Sequence, residues 1–161
     1  GEGAVLDRLK SFFGGLSRPR QIAAGTANDD IAVAATALML SVIEADGLQD
    51  RAERSRLREA LGEAYGLSGS ALDDLVAAGK SAQREAVDLS FLTGGLASNL
   101  DDAAKADFIG ILWEIVYADG EMHEVEDNTV WRIAELIGVS EHERAVQRRL
   151  ARKESGLPEE A

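Results

Sequence analysis

One stretch of this chain occurs twice, and this duplication limits the folds that the sequence can adopt. The first copy reads Ser-Val-Ile-Glu-Ala-Asp-Gly over residues 41–47, and Glu53 follows six residues after the glycine. The second copy reads Glu-Ile-Val-Tyr-Ala-Asp-Gly over residues 114–120, and Glu126 follows at the same distance, an offset of 73 residues. In each copy the Asp-Gly pair lies between two segments with the apolar spacing of a helix. The simplest interpretation is a duplicated helical hairpin, with two halves related by a pseudo-twofold axis.

The remaining sequence has the spacing of apolar residues that is typical of amphipathic helices. Only 2 prolines are present, and several segments follow N-capping side chains such as Asp101 and Ser140. Gly94 and Gly95 are expected to interrupt the fifth helix. The sequence therefore predicts an all-α bundle of seven to eight helices in two pseudo-symmetric halves. The helix that contains residues 108–117 is apolar nearly all round, which predicts a place at the centre of the bundle.

Three regions are distinguished along the chain. Residues 28–154 form the predicted helical domain, residues 155–161 a frayed tail, and residues 1–27 an amphipathic N-terminal arm and linker. The arm is interpreted as a docking element outside the repeat, with one apolar face made of Val5, Leu6, Leu9, Phe12, Phe13 and Leu16. It can fold back on the protein's own groove, pair with another copy, or lie on an anionic membrane surface. Folding back is favoured, because such a face is seldom left in water and the four cations of residues 1–25 supply little attraction to lipid.

An excess of acidic residues narrows the classes of partner. Asp and Glu number 29 against 17 Lys and Arg, which gives a net charge of −12. This charge repels phosphate backbones, so a protein partner is expected and a nucleic acid is not. The absence of cysteine excludes disulfides, thiolate metal sites and cysteine nucleophiles. No apolar run has the length of a transmembrane segment and no secretory signal is visible, so the expected location is the cytoplasm. Since no nucleophile–His–Asp arrangement or phosphate-binding glycine loop is visible, no enzyme is predicted and no catalytic residue is assigned.

The aspartate of each copy has the clearest chemical meaning. Asp46 and Asp119 continue the inward-facing apolar stripe of their helices, and each lies at the carbonyl end, where the helix dipole disfavours a negative charge. A compensating group is therefore expected, which can be a cation, an arginine, or the free N–H groups of the next helix. Asp50 and Glu53 fit a capping box at the start of that helix, so a ligand-free clip is one interpretation.

The other interpretation is a divalent cation held by carboxylates and turn carbonyls. Asp-Gly-x5-Glu matches the second half of an EF-hand loop, but the first half is missing, which excludes a true EF-hand. The cations considered are calcium, magnesium, manganese and zinc, and no other cofactor is predicted. The second copy is the better candidate, because Arg51 and Arg54 compete with a cation in the first. The candidate metal ligands are Asp119, Glu121, His123 and Glu126 in the second copy, and Asp46, Asp50 and Glu53 in the first.

Two further groups are assigned structural roles. Trp113 and Trp131 are expected to lie in the core or a groove. A basic cluster near the end of the last helix is expected to be solvated and to interact favourably with the helix C-terminus. Its members are Arg148, Arg149, Arg152 and Lys153.

The paired motifs resemble the tellurite-resistance protein TerB family, whose domain also opens some membrane-anchored DnaJ-type co-chaperones. The matching residues are Ala45, Asp46, Gly47 and Glu53 in one copy and Ala118, Asp119, Gly120 and Glu126 in the other, with support from residues 98–101, 112–114 and 133–138. The resemblance covers residues 28–154 and implies an all-helical, cytoplasmic, non-enzymatic domain linked to a metal or stress response. Acidic surface clusters in that family have been associated with divalent-metal binding. The alternative is a metal-free protein–protein interaction scaffold with an acidic rim around a groove between the halves.

Overall fold

The predicted all-α bundle is confirmed. A computed structural model describes residues 2–16, 31–45, 51–117 and 123–157, with side chains from residue 6 onward, and within these ranges it contains eight helices and no strand. The helices are α1 (Glu2–Gly14), α2 (Ile31–Ile43), α3 (Arg51–Tyr65), α4 (Gly69–Glu85), α5 (Leu89–Asn99), α6 (Asp102–Val116), α7 (Glu124–Ile137) and α8 (Glu141–Glu154). In the described part of the chain, none of these helices is long and apolar enough to cross a membrane.

The helices pack as two four-helix units that make equivalent contacts. In the first unit α1 packs on α3 and α2 on α4, and in the second α5 packs on α7 and α6 on α8. A reciprocal pair of contacts, α1 with α6 and α5 with α2, joins the units. Exchanging the two units converts each of these contacts into another member of the set, as a pseudo-twofold axis requires. The N-terminal arm was expected to dock from outside the repeat. Its helix, α1, is instead the counterpart of α5 and part of the core.

Helix boundaries follow the repeat that was read from the sequence. The helix before each Asp-Gly pair ends at Ile43 in one unit and at Val116 in the other, and the helix after it begins at Arg51 and at Glu124. Both pairs of positions differ by 73 residues. The duplication therefore describes real structural equivalence on either side of each turn.

Burial of its apolar face holds α1 in the bundle. Phe13 is completely buried and meets the ring of Tyr65 edge-on, while Phe12 stacks on Phe108 with 5.1 Å between ring centroids. At the other edge of α1, the Arg8 guanidinium forms ion pairs with Glu114 and Asp107 of α6. The apolar face thus anchors α1, and the ion pairs fix its position along α6.

The centre of the protein is made by α2 and α6, which are buried on nearly all sides. Every residue from 108 to 116 is buried, including Trp113, as the continuous apolar pattern predicts. Gly79 lets α4 approach α2 closely, because a Cβ at this position would lie 2.5 Å from Cγ2 of Thr36. The expected interruption of α5 at Gly94 is not observed, since this helix runs unbroken to Asn99.

Two of the predicted N-caps make their hydrogen bonds. The Asp101 carboxylate accepts from the Ala104 amide at 2.8 Å, and the Ser140 hydroxyl accepts from the Glu143 amide at 3.2 Å. At the end of α7, Gly138 has a φ of +92°, a left-handed conformation that glycine adopts without steric cost. These local signals set the limits of α6, α7 and α8.

Candidate functional site

The seven candidate metal ligands lie at or beside the two Asp-Gly turns, which we define as residues 44–54 and 117–127. Glu53, His123 and Glu126 are within the described part of the chain. The other four candidates, Asp46, Asp50, Asp119 and Glu121, lie outside the described residues, as do Gly47 and Gly120. For each turn, the structure therefore describes the residues at the ends of its two flanking helices.

In the first Asp-Gly turn, arginines neutralise the flanking carboxylates. Glu53 occupies the third position of α3, is 7 % exposed, and forms an ion pair with Arg56 one helical turn later. Arg54 reaches across the turn and forms an ion pair with Glu44, which follows the end of α2. Two arginines thus occupy the positions from which they can compete with a bound cation.

In the second Asp-Gly turn, the positions equivalent to Glu44 and Arg54 are also in contact, but through a hydrogen bond between different side chains. Tyr117 and Asp127 are the repeat equivalents of Glu44 and Arg54, and the Tyr117 hydroxyl donates a hydrogen bond to the Asp127 carboxylate. Thr129 takes the place of Arg56, and its hydroxyl donates to the Val125 carbonyl at 2.8 Å. The positions of Arg54 and Arg56, beside the first turn, therefore carry an acidic and a neutral residue in the second unit.

His123 and the acidic start of α7 complete the described part of the second turn. His123 is the N-cap residue of α7, but its side chain makes no capping bond to this helix. The first helical turn of α7 carries Glu124, Glu126 and Asp127, and the helix dipole favours negative charges at this end. In the described ranges, no group of three or more His, Asp or Glu side chains is arranged to hold a metal ion. Any cation at this turn would therefore need ligands from residues 118–122 as well.

Asp127 is the centre of a polar network that the sequence analysis missed. Its carboxylate accepts hydrogen bonds from Trp113 Nε1 at 3.0 Å and from the Tyr117 hydroxyl. It also accepts hydrogen bonds from Arg148 Nε at 2.9 Å and from Arg148 Nη2 at 3.1 Å. Burial alone would raise the pKa of Asp127, but the hydrogen bonds from Arg148 and Tyr117 outweigh it and hold this pKa below its usual value. Burial and the neighbouring carboxylate raise the pKa of the Tyr117 hydroxyl. The network ties α6, α7 and α8 together behind the second turn.

The expectation that the basic cluster on α8 is solvated is wrong for two of its four members. Arg148 is bound to Asp127, and Arg152 is 7 % exposed with its guanidinium over the Tyr117 ring, 5.7 Å from the centroid. The ten-residue spacing of Glu44 to Arg54 and of Tyr117 to Asp127 was a signal for the contact between Tyr117 and Asp127, but not for the contacts of Arg148 and Arg152. It shows that the same repeat positions face each other in both units, although their side chains differ.

Comparison with known proteins gives one family match. The family model described as "Tellurite resistance protein TerB" matches residues 32–149, which include both Asp-Gly turns and all the helices from α2 to α7 apart from the first residue of α2. Neither the curated proteins nor the solved structures contain a significant match to this chain.

Proposed function

The chain belongs to the tellurite resistance protein TerB family, and on that premise we propose that it is a non-catalytic helical module that binds a divalent cation at its second Asp-Gly turn. The proposal places this binding in a metal or stress response, in the cytoplasm. One observation carries it: the arginines that accompany the first turn are absent from the matching positions of the second. Arg54 and Arg56 correspond to Asp127 and Thr129, so these two positions change from two positive charges to one negative charge.

The donor set at the second turn has the chemistry of a site for a hard divalent cation. Asp119, Glu121 and Glu126 offer carboxylate oxygens, which calcium, magnesium and manganese prefer, and the imidazole of His123 would also suit manganese or zinc. The bound cation would supply positive charge at the carbonyl end of α6, where a carboxylate is otherwise unfavourable. Asp46, Asp50 and Glu53 form the weaker candidate site, because Arg54 and Arg56 already compensate carboxylates there.

The state of the buried titratable groups favours binding over catalysis. Asp127 is held by four donor groups from three residues, and Glu114 is paired with Arg8 between α1 and α6. Groups fixed in this way by neighbouring helices hold the bundle together and are not positioned to exchange protons with a substrate. We therefore assign the second turn a binding role and no reaction.

Isothermal titration calorimetry with calcium, magnesium, manganese and zinc tests the proposal. We expect at least one of these cations to bind the full chain, and Asp119→Asn to weaken that binding by at least about tenfold, which corresponds to ~1.4 kcal/mol. Asp46→Asn is the matched control, since it makes the same change at the equivalent position of the first turn. Its effect should be several-fold smaller.

Two results would contradict the metal proposal. Equal losses in the two variants would remove the distinction between the turns, and the absence of heat with all four cations would remove the site. The second result would favour the alternative, a metal-free protein–protein interaction scaffold. That alternative is supported by Asp127, whose carboxylate is occupied by protein donors in the described part of the second turn.

A further inference from the structure

A basic groove lies on the outer side of α7 and α8. Trp131 of α7, Ala145 and Leu157 supply its apolar surface, and the four cations of the α8 cluster supply the rest of its lining. The hydrogen bond from the Leu157 amide to the Arg152 carbonyl, at 2.9 Å, turns the chain back after α8 and brings Leu157 to the groove. In a chain with a net charge of −12, this groove is a local reversal of sign.

Only part of the positive charge in the groove is used to hold the fold. Arg148 is paired with Asp127, and Arg152 lies against Tyr117. Arg149 and Lys153, by contrast, are exposed, and within the described residues neither has a carboxylate within 4 Å. They stand four residues apart on one face of α8, at the edge of the groove.

The helix dipole does not account for this pair. The favourable interaction of a cation with the carbonyl end is confined to the last helical turn. Lys153 lies in that turn of α8, but Arg149 does not. Like charges at this spacing also repel each other. The arrangement therefore costs the isolated protein stability, and a negatively charged partner would relieve that cost.

We propose that this groove binds an acidic peptide segment of a partner protein that carries one bulky apolar side chain. The cavity is about 210 Å³, which is below the ~300–1,000 Å³ of sites for drug-sized ligands, and so it suits a single side chain. That side chain would lie against Trp131 and Leu157, while carboxylates on either side of it pair with Arg149 and Lys153. Charge complementarity of this kind confers specificity and speeds association.

The apolar surface and the charge of the whole protein argue against other anionic ligands. Inorganic phosphate has no group that would use Trp131 or Leu157. An anionic membrane or a nucleic acid would meet the acidic remainder of the protein along with the groove, and that remainder is repelled. A short acidic segment can enter the groove without approaching the rest of the surface.

Fluorescence anisotropy with a labelled synthetic peptide tests the proposal, with EDTA present so that metal makes no contribution. The peptide has one leucine with two glutamates on each side. We expect it to bind the full chain, and to bind at least about tenfold more weakly when salt is raised to about 0.5 M. Peptides with serine in place of leucine, or with glutamines in place of the glutamates, should each bind more weakly.

The variants separate a specific groove from general electrostatics. Arg149→Glu with Lys153→Glu should abolish binding of the peptide. Lys80→Glu with Arg84→Glu is the matched control, because it changes the same number of charges at the same spacing on α4 and should retain binding. All four positions are at least partly exposed, so both variants should fold, which circular dichroism checks.

Three results would overturn the proposal. One is no binding of the acidic leucine peptide, and another is equal losses in the groove variant and the α4 variant. The third is binding of phosphatidylserine vesicles or single-stranded DNA that the groove variant abolishes while the peptide does not bind. That last result would assign the groove to a different class of partner.

Discussion

Replacement of Asp127 should destabilise the protein far more than replacement of an exposed acidic residue. In Asp127→Ala the indole N–H of Trp113 and the hydroxyl of Tyr117 both lose their acceptor, and both side chains are completely buried. Arg148 loses its carboxylate while only 16 % of its side chain is exposed. The variant therefore combines two orphaned donors with the loss of the ion pair between Arg148 and Asp127.

The magnitude follows from these three losses. A buried donor without a partner costs ~1–3 kcal/mol, and breaking a fully buried ion pair costs ~3–5 kcal/mol. Water reaches the partly exposed Arg148 and the effects overlap, so we expect a loss of about 3 kcal/mol in the free energy of unfolding. Asp127→Asn keeps the size and one acceptor oxygen, and it should lose roughly half as much.

Urea denaturation followed by circular dichroism measures these differences. Glu135→Ala is the control, because Glu135 forms an ion pair with Arg132 in which both side chains are more than half exposed. That pair should contribute less than about 0.5 kcal/mol. A loss for Asp127→Ala that is no larger than the loss for Glu135→Ala would refute the reasoning about the network.

The same network predicts a pH dependence. Because the pKa of Asp127 is lower in the folded protein than in the unfolded chain, the native state binds this proton less readily. The stabilisation is therefore fully present above the unfolded value of about 3.9 and is lost as the pH falls through the folded pKa. The stability difference between wild type and Asp127→Asn should shrink below about pH 4, as denaturation at a series of pH values would show.

Three further predictions test the packing. Gly79→Ala should destabilise the protein by about 1–3 kcal/mol because the new Cβ meets Thr36, and Thr36→Ser should recover part of this loss in a double-mutant cycle. Gly94→Ala is the control: its new Cβ meets nothing within 4 Å, so it should stabilise the protein by ~0.5–1 kcal/mol. Phe13→Ala should cost ~3–5 kcal/mol by thermal or urea unfolding if α1 belongs to the core, and a negligible cost would return α1 to the role of a separate arm. Burial raises the pKa of Glu114, so the contribution of this residue to the free energy of unfolding declines as the pH rises through that pKa. Glu114→Gln should remove this decline in denaturation at a series of pH values, and a profile identical to that of the wild type would contradict a raised pKa.

Much of the fold could be predicted from the sequence because the signals for it are local. The start of α7 at Glu124 and the caps of α6 and α8 follow from a few neighbouring residues each. The apolar pattern of α6 likewise determines its place at the centre, since a helix without a polar face must be covered on all sides. The predicted interruption at Gly94 was wrong because the low helix propensity of glycine is a weak effect beside the burial of Leu92 and Leu96 on the same helix.

The equivalence of α1 and α5 could not be predicted, because it depends on packing and not on sequence similarity. The motif repeat begins at residue 41 and leaves α1 without an obvious counterpart. Only the reciprocal contacts of α1 with α6 and of α5 with α2 reveal it. An apolar face such as that of α1 indicates that something must cover it, but not which helices do so.

The candidate site, like the fold, could be predicted from the sequence only in part. The repeat identified both turns and ranked the second above the first by counting nearby arginines. That count named Arg51 and Arg54, whereas the ion pairs seen beside the first turn are those of Arg54 with Glu44 and of Arg56 with Glu53. The network around Asp127 was missed because its members are spread from residue 113 to residue 148, and no local pattern connects such positions.

Paramagnetic broadening by manganese tests the central claim most directly, because it locates the cation along the chain. In ¹H–¹⁵N spectra of the full chain, substoichiometric Mn²⁺ should broaden the amide signals of residues 118–126 first, and EDTA should restore them. Signals of residues 45–53 should broaden later, and Asp119→Asn should remove the preference for the second turn. Broadening that begins at residues 45–53, or that is uniform over the acidic surface, would contradict a divalent-cation site at the second Asp-Gly turn.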